Sequence, residues 1–390
     1  MTDSRTYLEL LARGATAGGP LEGAGAGGGA LPDRQALLDR LREEIAYVER
    51  KVGVRADPDE VRRLMSGTGE ALRKVLGDGA DAQLGPADVL GLEAVVRADG
   101  SRPVLFVEDD FVDLTAPSAG LWAAVLARFE DQVRSVCAAV GRVDDPAARG
   151  VGYCGTAWVV GEGLVVTNFH VLRAIARGGE RRDGRFEGRL NTAVAVHFGH
   201  EVGEVRPELR FPIRRVVGVG RQGEPRFEHP DLRGINFDGL DLALLELEPV
   251  PGRSFPEPVR VARGDDPLTR GGLASAGRTI YLVGYPGDPT STTPDLFVRL
   301  FAGVRSYKRL APGQIMAAAG GVPLDPRGWV LTHDASTLGG NSGSVLVDLD
   351  ADGRTALGLH FAGQPDRQNW AHALERITAD LDRLSHGGPR

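Results

Sequence analysis

The chain is short of cysteine, of long apolar runs and of basic blocks, and each shortage removes a class of answers. Only Cys137 and Cys154 stand in 390 residues, which excludes a disulfide framework and a four-cysteine metal site. Neither lies in a CxxC spacing, so both are expected as free thiols that pack as small apolar side chains. Nowhere do about 18 apolar residues run together, so no membrane-spanning helix is expected. Charge is mildly acidic, with 46 Lys and Arg against 53 Asp and Glu. No basic block could neutralise a row of phosphates, which argues against nucleic acid as a partner. The opening MTDSRTYLELLARG mixes charges and has no apolar core, so no secretory leader is expected and a cytoplasmic location is the default.

Metal and cofactor motifs are equally scarce. Among the histidines, only His197 and His200 beside Glu201 have a spacing worth weighing, and in a strand and loop they read as surface residues rather than zinc ligands. Gly284-Tyr285-Pro286-Gly287 reads as a tight turn, because no Lys-Ser/Thr pair follows it as a phosphate cradle requires. Neither a metal nor a cofactor is expected.

What is present divides the chain into a helical part and a β-rich part. A chain of this length has room for two or three domains. Residues 1–30 read as a flexible N-terminus, since the tract from Arg13 to Ala30 is almost all Gly and Ala. Residues 31–100 read as a small helical domain. Leu38, Leu41, Ile45 and Val48 recur at helical spacing. Asp57 before Pro58, with Glu60 at the capping-box position, announces a second helix ending near Gly77, and Pro86 opens a third. Residues 101–139 read as a connecting arm and helix: Arg102 to Val107 is extended, then Trp122, Val125, Phe129, Val133 and Val136 trace one face of a long helix. From Val140 the texture changes to short β-rich runs split by Gly, Pro and Asp, the pattern of a barrel or sandwich. A last helix is expected from Trp370 to about Leu384.

Three segments of the β-rich part carry a base, an acid and a nucleophile in that order. Gly155-Thr156-Ala157-Trp158 and Leu164 to Val171 form a hairpin that presents His170 at its end. Leu240-Asp241-Leu242 puts one acid ahead of an apolar strand. Thr337-Leu338-Gly339-Gly340-Asn341-Ser342-Gly343-Ser344 precedes the strand Val345-Leu346-Val347. A serine hydroxyl is a poor nucleophile at neutral pH and needs an imidazole to take its proton, and the imidazole needs a carboxylate to orient it and stabilise its cation. His170, Asp241 and Ser342 supply those types. Asp231 and Asp238 also lie near, but neither has the apolar strand that would fix it.

These motifs resemble the trypsin-like serine peptidases, in particular the bacterial branch of glutamyl endopeptidases and HtrA-type peptidase domains, over roughly Val140 to Leu384. The resemblance implies a mainly β fold of two six-stranded antiparallel barrels, with a helical N-terminal extension and a C-terminal helix, and makes residues 140–390 the peptidase domain. It implies a serine endopeptidase working through an acyl-enzyme, with the backbone N–H groups of Gly340 and Ser342 as the oxyanion hole. Where the digestive enzymes carry an acid before the nucleophile, this chain has Asn341, so activation by a cut N-terminus is not expected. The specificity pocket should be lined by Ser336, Thr337 and Leu338 and by Leu359, His360 and Phe361. With no acid at its base, Arg or Lys preference is not indicated. Thr337 with His360 is similar to the pair that holds an acidic side chain in glutamyl endopeptidases, and a small or apolar preference is the alternative. A protein or peptide substrate is the expected partner, and the N-terminal helices are candidates for docking a regulatory protein or holding the enzyme in check. The competing reading is a catalytically silent peptide-binding module on the same fold.

Overall fold

The computed structural model describes residues 4–15, 31–148, 152–182, 185–228, 235–264, 272–287, 306–364 and 368–385. The chain begins with four helices, α1 (Ser4–Ala15), α2 (Arg34–Val52), α3 (Pro58–Asp78) and α4 (Pro86–Ala98). Their starts follow from side chains that satisfy free N–H groups. Asp33 accepts from the Ala36 N–H and Asp57 from the Asp59 N–H, while Asp88 reaches back to the Gly85 N–H ahead of Pro86.

The expectation of a flexible segment 1–30 is corrected for its first part. Tyr7, Leu10 and Leu11 share one face of α1 and are buried; the Tyr7 hydroxyl donates to Glu93 and the Leu10 carbonyl accepts from Ser101. Burial of that stripe against α4 outweighs the glycine-rich composition that follows it. The rest of the tract, 16–30, lies outside the described residues.

The extended arm becomes part of a sheet. Its strand β1 (Leu105–Glu108) turns back as β2 (Phe111–Val112) and pairs antiparallel with a strand of the second barrel. The long helix expected next is two, α5 (Trp122–Arg128) and α6 (Glu130–Ala138), broken at Phe129, whose φ of −113° and ψ of 29° leave helical geometry. The break leaves Trp122 and Leu126 on one piece, and Val133 and Val136 on the other, all buried.

Two closed six-stranded antiparallel barrels follow. The first is built from β3 (Val140–Asp144), β4 (Tyr153–Gly161), β5 (Leu164–Thr167), β8 (Ala195–His197), β9 (Arg210–Val219) and β10 (Ala243–Leu247), with α7 (Phe169–Ala174) and the hairpin of β6 (Ala176–Arg182) and β7 (Arg185–Leu190) inserted. After the short β11 (Arg260–Val261), the second comprises β12 (Thr279–Gly284), β13 (Arg309–Ala317), β14 (Val330–His333), β15 (Val345–Asp348), β16 (Thr355–Gln364) and β17 (Gln368–Ala373). β12 pairs with both β15 and β13, which closes the ring, and β1 adds to it through Leu105 opposite Leu310. The final helix, α8, spans Leu374–Ser385, so Trp370 belongs to β17 rather than to the helix. Leu374, Ile377, Leu381 and Leu384 seat α8 on the barrels. No described helix is long and apolar enough to cross a membrane.

The His197, His200 and Glu201 group is not surface. All three are buried, because Lys308 from the second barrel is fully buried beside them and needs partners for its charge. Its ammonium donates to the carbonyls of Cys137 and Phe198 and to Glu201, each at 2.7 Å. Arg206 joins Glu201 to Asp110 in the β1–β2 turn. This ionic cluster ties both barrels to the arm. Both cysteines are free, Cys137 buried and Cys154 half-buried.

Candidate active site

Strand ends deliver the first-barrel residues. β5 stops at Thr167 and passes through Asn168 into α7, which places His170 in the first helical turn at the barrel rim. Asp241 stands two residues before β10. Its carboxylate accepts the His170 backbone N–H at 3.0 Å and the ring Nδ1 at 2.6 Å. An ionised carboxylate only accepts, so the ring proton sits on Nδ1 and Nε2 is left as the base. The Asp241 backbone is clamped as well: its N–H donates to His372 Nε2 at 3.1 Å and its carbonyl accepts from Asn168 at 2.9 Å.

Electrostatics reinforce this pairing. Desolvation opposes both charges, but the attraction between the two groups outweighs it, holding the Asp241 carboxyl down at about 2 and raising His170 above its ordinary value. Asp238 is used elsewhere, accepting the Glu224 N–H and pairing with Arg327. Asp231 lies outside the described residues.

Ser342 follows a single 3₁₀ turn, Gly339–Asn341, on the loop before β15. The turn is closed by the Asn341 N–H donating to the Leu338 carbonyl at 2.9 Å. Thr156 of β4 holds the loop from the first barrel: its N–H donates to the Ser342 carbonyl and its hydroxyl to the Gly340 carbonyl. Gly343, at φ 89°, then turns the chain into β15, where a Cβ would stand 2.0 Å from the Thr156 carbonyl. One of the two expected oxyanion amides, that of Gly340, is engaged elsewhere. The Gly340 N–H donates to the Gly287 carbonyl at 3.2 Å, and Gly340 is not among the glycines with positive φ. Gly284 is the last residue of β12 rather than part of a tight turn, and the segment that follows it to Gly287 lies against the Ser342 loop.

Two chambers border these parts, with Ser342 in the lining of one and His170 and Asp241 in the lining of the other. One, of about 610 Å³, is lined by Ser342, Ser336, Thr337, Leu338 and His360. The other, of about 750 Å³, is lined by His170, Asp241 and Phe361. Ala362 and Gly363 of β16 border both.

The family model described as a trypsin-like peptidase domain matches residues 155–359, the span that holds all three segments. A probable serine protease of Lysobacter enzymogenes is 31% identical over 330 residues, covering 80% of this chain and 78% of that protein. The chain belongs to the trypsin-like peptidases. Among solved structures, it is similar to the active form of the Rv3671c protease from M. tuberculosis, at 20% identity and TM-score 0.37 over 68% of this chain and 85% of that one. A mutant of human heparin binding protein (CAP37) is 11% identical with TM-score 0.42 over 65% and 94%. This trypsin-like peptidase is a serine endopeptidase.

Its pocket residues divide by strand parity, because alternate side chains of a strand face opposite ways. His360 faces the Ser342 chamber, whereas Leu359 points into the core and Phe361 into the other chamber, stacked on His372 at 4.3 Å. Ser336 is buried and donates to the Arg102 carbonyl; Thr337 donates to Asn369. Behind His360 stands His333, its Nε2 3.2 Å from His360 Nδ1. Burial keeps both rings neutral, pushing His360 down to about 3 and His333 well below its ordinary value. Sequence reasoning missed His333 and His372, whose spacing to their partners signals nothing until strands pair. It also missed Glu93, Arg97 and Arg102, which line the Ser342 chamber from the helical part.

Proposed function

We propose that this serine endopeptidase cleaves through an acyl-enzyme in which Ser342 attacks, His170 takes and returns the proton, and Asp241 orients the imidazole. The observation that carries the reading is the 2.6 Å contact between His170 Nδ1 and Asp241. It fixes the tautomer that leaves Nε2 unprotonated, as the base of this reading must be. Labelling by a fluorophosphonate that disappears in Ser342→Ala, with the fold intact by circular dichroism, tests it; equal labelling of that variant sinks it.

The resting loop belongs to the same reading. In a four-residue turn, a type I arrangement and a type II arrangement differ by rotation of the central peptide, and type II needs positive φ at the third residue, a role suited to glycine. Here that residue is Gly340. Rotation would withdraw its N–H from Gly287 and aim it at the oxyanion, so substrate binding completes the site.

A preference for Glu or Asp before the cut is supported by a neutral His360 and by Thr337, which line one chamber with Ser342. A substrate panel differing only at that residue tests it, and equal rates for Glu and Ala remove it. Control by residues 1–139 is supported by the pairing of β1 with β13 and by the Ser336 bond to Arg102. Loss of that control in arm variants is its test.

A further inference from the structure

One face of α4 lies along the Ser342 chamber. Pro86, Val89, Leu90, Glu93 and Arg97 all line it, and their spacings of three, one, three and four residues are those of a single helix stripe. Arg102, just beyond the helix, lines it too. Its backbone carbonyl is held by the hydroxyl of Ser336 at 2.8 Å, one of the residues expected to line the pocket. The chamber is thus closed on one side by the barrel and on the other by the helical part of the chain.

The charges in this wall are unequally satisfied. Glu93 pairs with Arg102 at 2.6 Å and Arg97 at 3.2 Å, and accepts the Tyr7 hydroxyl. Asp334, the other acid of the lining, accepts the Gln314 N–H at 2.6 Å. Arg102 is nearly buried and stays cationic, its desolvation outweighed by Glu93 and Asp334. Its Nε has no acceptor among the described residues. That N–H is itself shut off from solvent, so a carboxylate arriving in the chamber would meet Arg102 through the part of its side chain that lines it, where a nearly buried charge strengthens a charge-assisted hydrogen bond.

We propose that α4 and Arg102 form the outer wall of the substrate pocket, and that the Arg102 guanidinium is the partner for a carboxylate side chain on the residue before the cut. The second clause rests on the Glu/Asp reading above. The helical part is therefore a piece of the substrate site, and its removal takes away substrate contacts.

The test uses the full chain and peptides with Glu, Gln or Ala before the cut, against wild type, Arg102→Gln, Arg102→Lys and Leu90→Trp, with melting points as a check on folding. Arg102→Gln is expected to lower the Glu-to-Gln ratio of kcat/KM by about tenfold or more, and Arg102→Lys to keep part of the ratio. Leu90 is 41% exposed, so Leu90→Trp should fold, with its melting point kept, and raise KM for Glu and Gln several-fold. A wild-type Glu preference that survives intact in Arg102→Gln overturns the Arg102 assignment and leaves the preference with His360 and Thr337. Absence of any wild-type Glu preference overturns the acidic reading itself. The wall is then judged by Leu90→Trp, where an unchanged KM overturns it and a raised KM supports it.

Discussion

On the first-barrel side of the cleft, His170 and Asp241 are joined by two hydrogen bonds, and the Asp241 backbone is clamped by two more. On the second-barrel side, the loop that carries Ser342 spends its Gly340 N–H on the Gly287 carbonyl. The difference teaches where preorganisation is stored. The charged pair is built in beforehand, because the largely covered Asp241 carboxylate would lose solvation with no partner to replace it, while His170 stays partly open to solvent. A backbone donor bonded to a neighbouring carbonyl can be redirected by rotating one peptide, so it can wait for substrate.

The largest effects should break the comparison on its ready side. Ser342→Ala is expected to lower kcat by roughly 10⁴-fold or more, and Asp241→Asn by a similar factor, because the amide supports the wrong imidazole tautomer. Stopped assays on peptide substrate measure both. An Asp241→Asn loss under tenfold would mean that another acid orients His170.

Gly340→Ala probes the waiting side. A Cβ there would stand 2.2 Å from the Tyr285 carbonyl and 2.6 Å from the Tyr153 hydroxyl, atoms that the loop cannot avoid. It would also resist the positive φ of the rotated turn. A loss in kcat of about 10²–10³ is expected, the range for removing one oxyanion donor, together with a lower melting temperature. Lengthening a peptide substrate should raise kcat as well as lower KM, since remote contacts drive the rotation; a change in KM alone would indicate a loop already rearranged.

Smaller effects sharpen the ready side. With its pKa raised above 6.5, His170 keeps its proton to higher pH than a free imidazole. The basic form, and kcat/KM with it, should therefore rise through an inflection above that value, read from a pH–rate profile. The folded-state pKa of Asp241 is depressed from 3.8 to about 2. Its stabilising contribution is present above the higher value and is lost as pH falls between them. His372→Phe is the mildest change: removing the acceptor of the Asp241 N–H while keeping a ring against Phe361 should cost kcat several-fold and shift the same inflection, whereas a purely structural role would leave the inflection in place.

Much of this was legible locally. Asp57 and Pro58 mark the start of α3, Pro86 that of α4, and Val140 the first barrel strand, because caps and strand alternation act over a few residues. His170 and Ser342 stood out by their strand and glycine flanks. Phe129 carries no breaker residue, so the division of the helix there had no local sign. The burial of His197, His200 and Glu201 depends on Lys308, more than a hundred residues on, arriving in need of acceptors.

What the sequence determined by itself is which residue types stand where: a His, an Asp and a Ser in order, each beside a short-range pattern that fixes its strand or turn. Tertiary structure decided what each of them faces. Asp241 meets His170 only because β10 pairs with β5, His360 meets His333 only because β16 and β14 flank β17, and α4 meets the Ser342 chamber only because the barrel and helical parts share one core. Such contacts join residues far apart in the chain, and closing those distances is the work of buried surface, which no local pattern encodes.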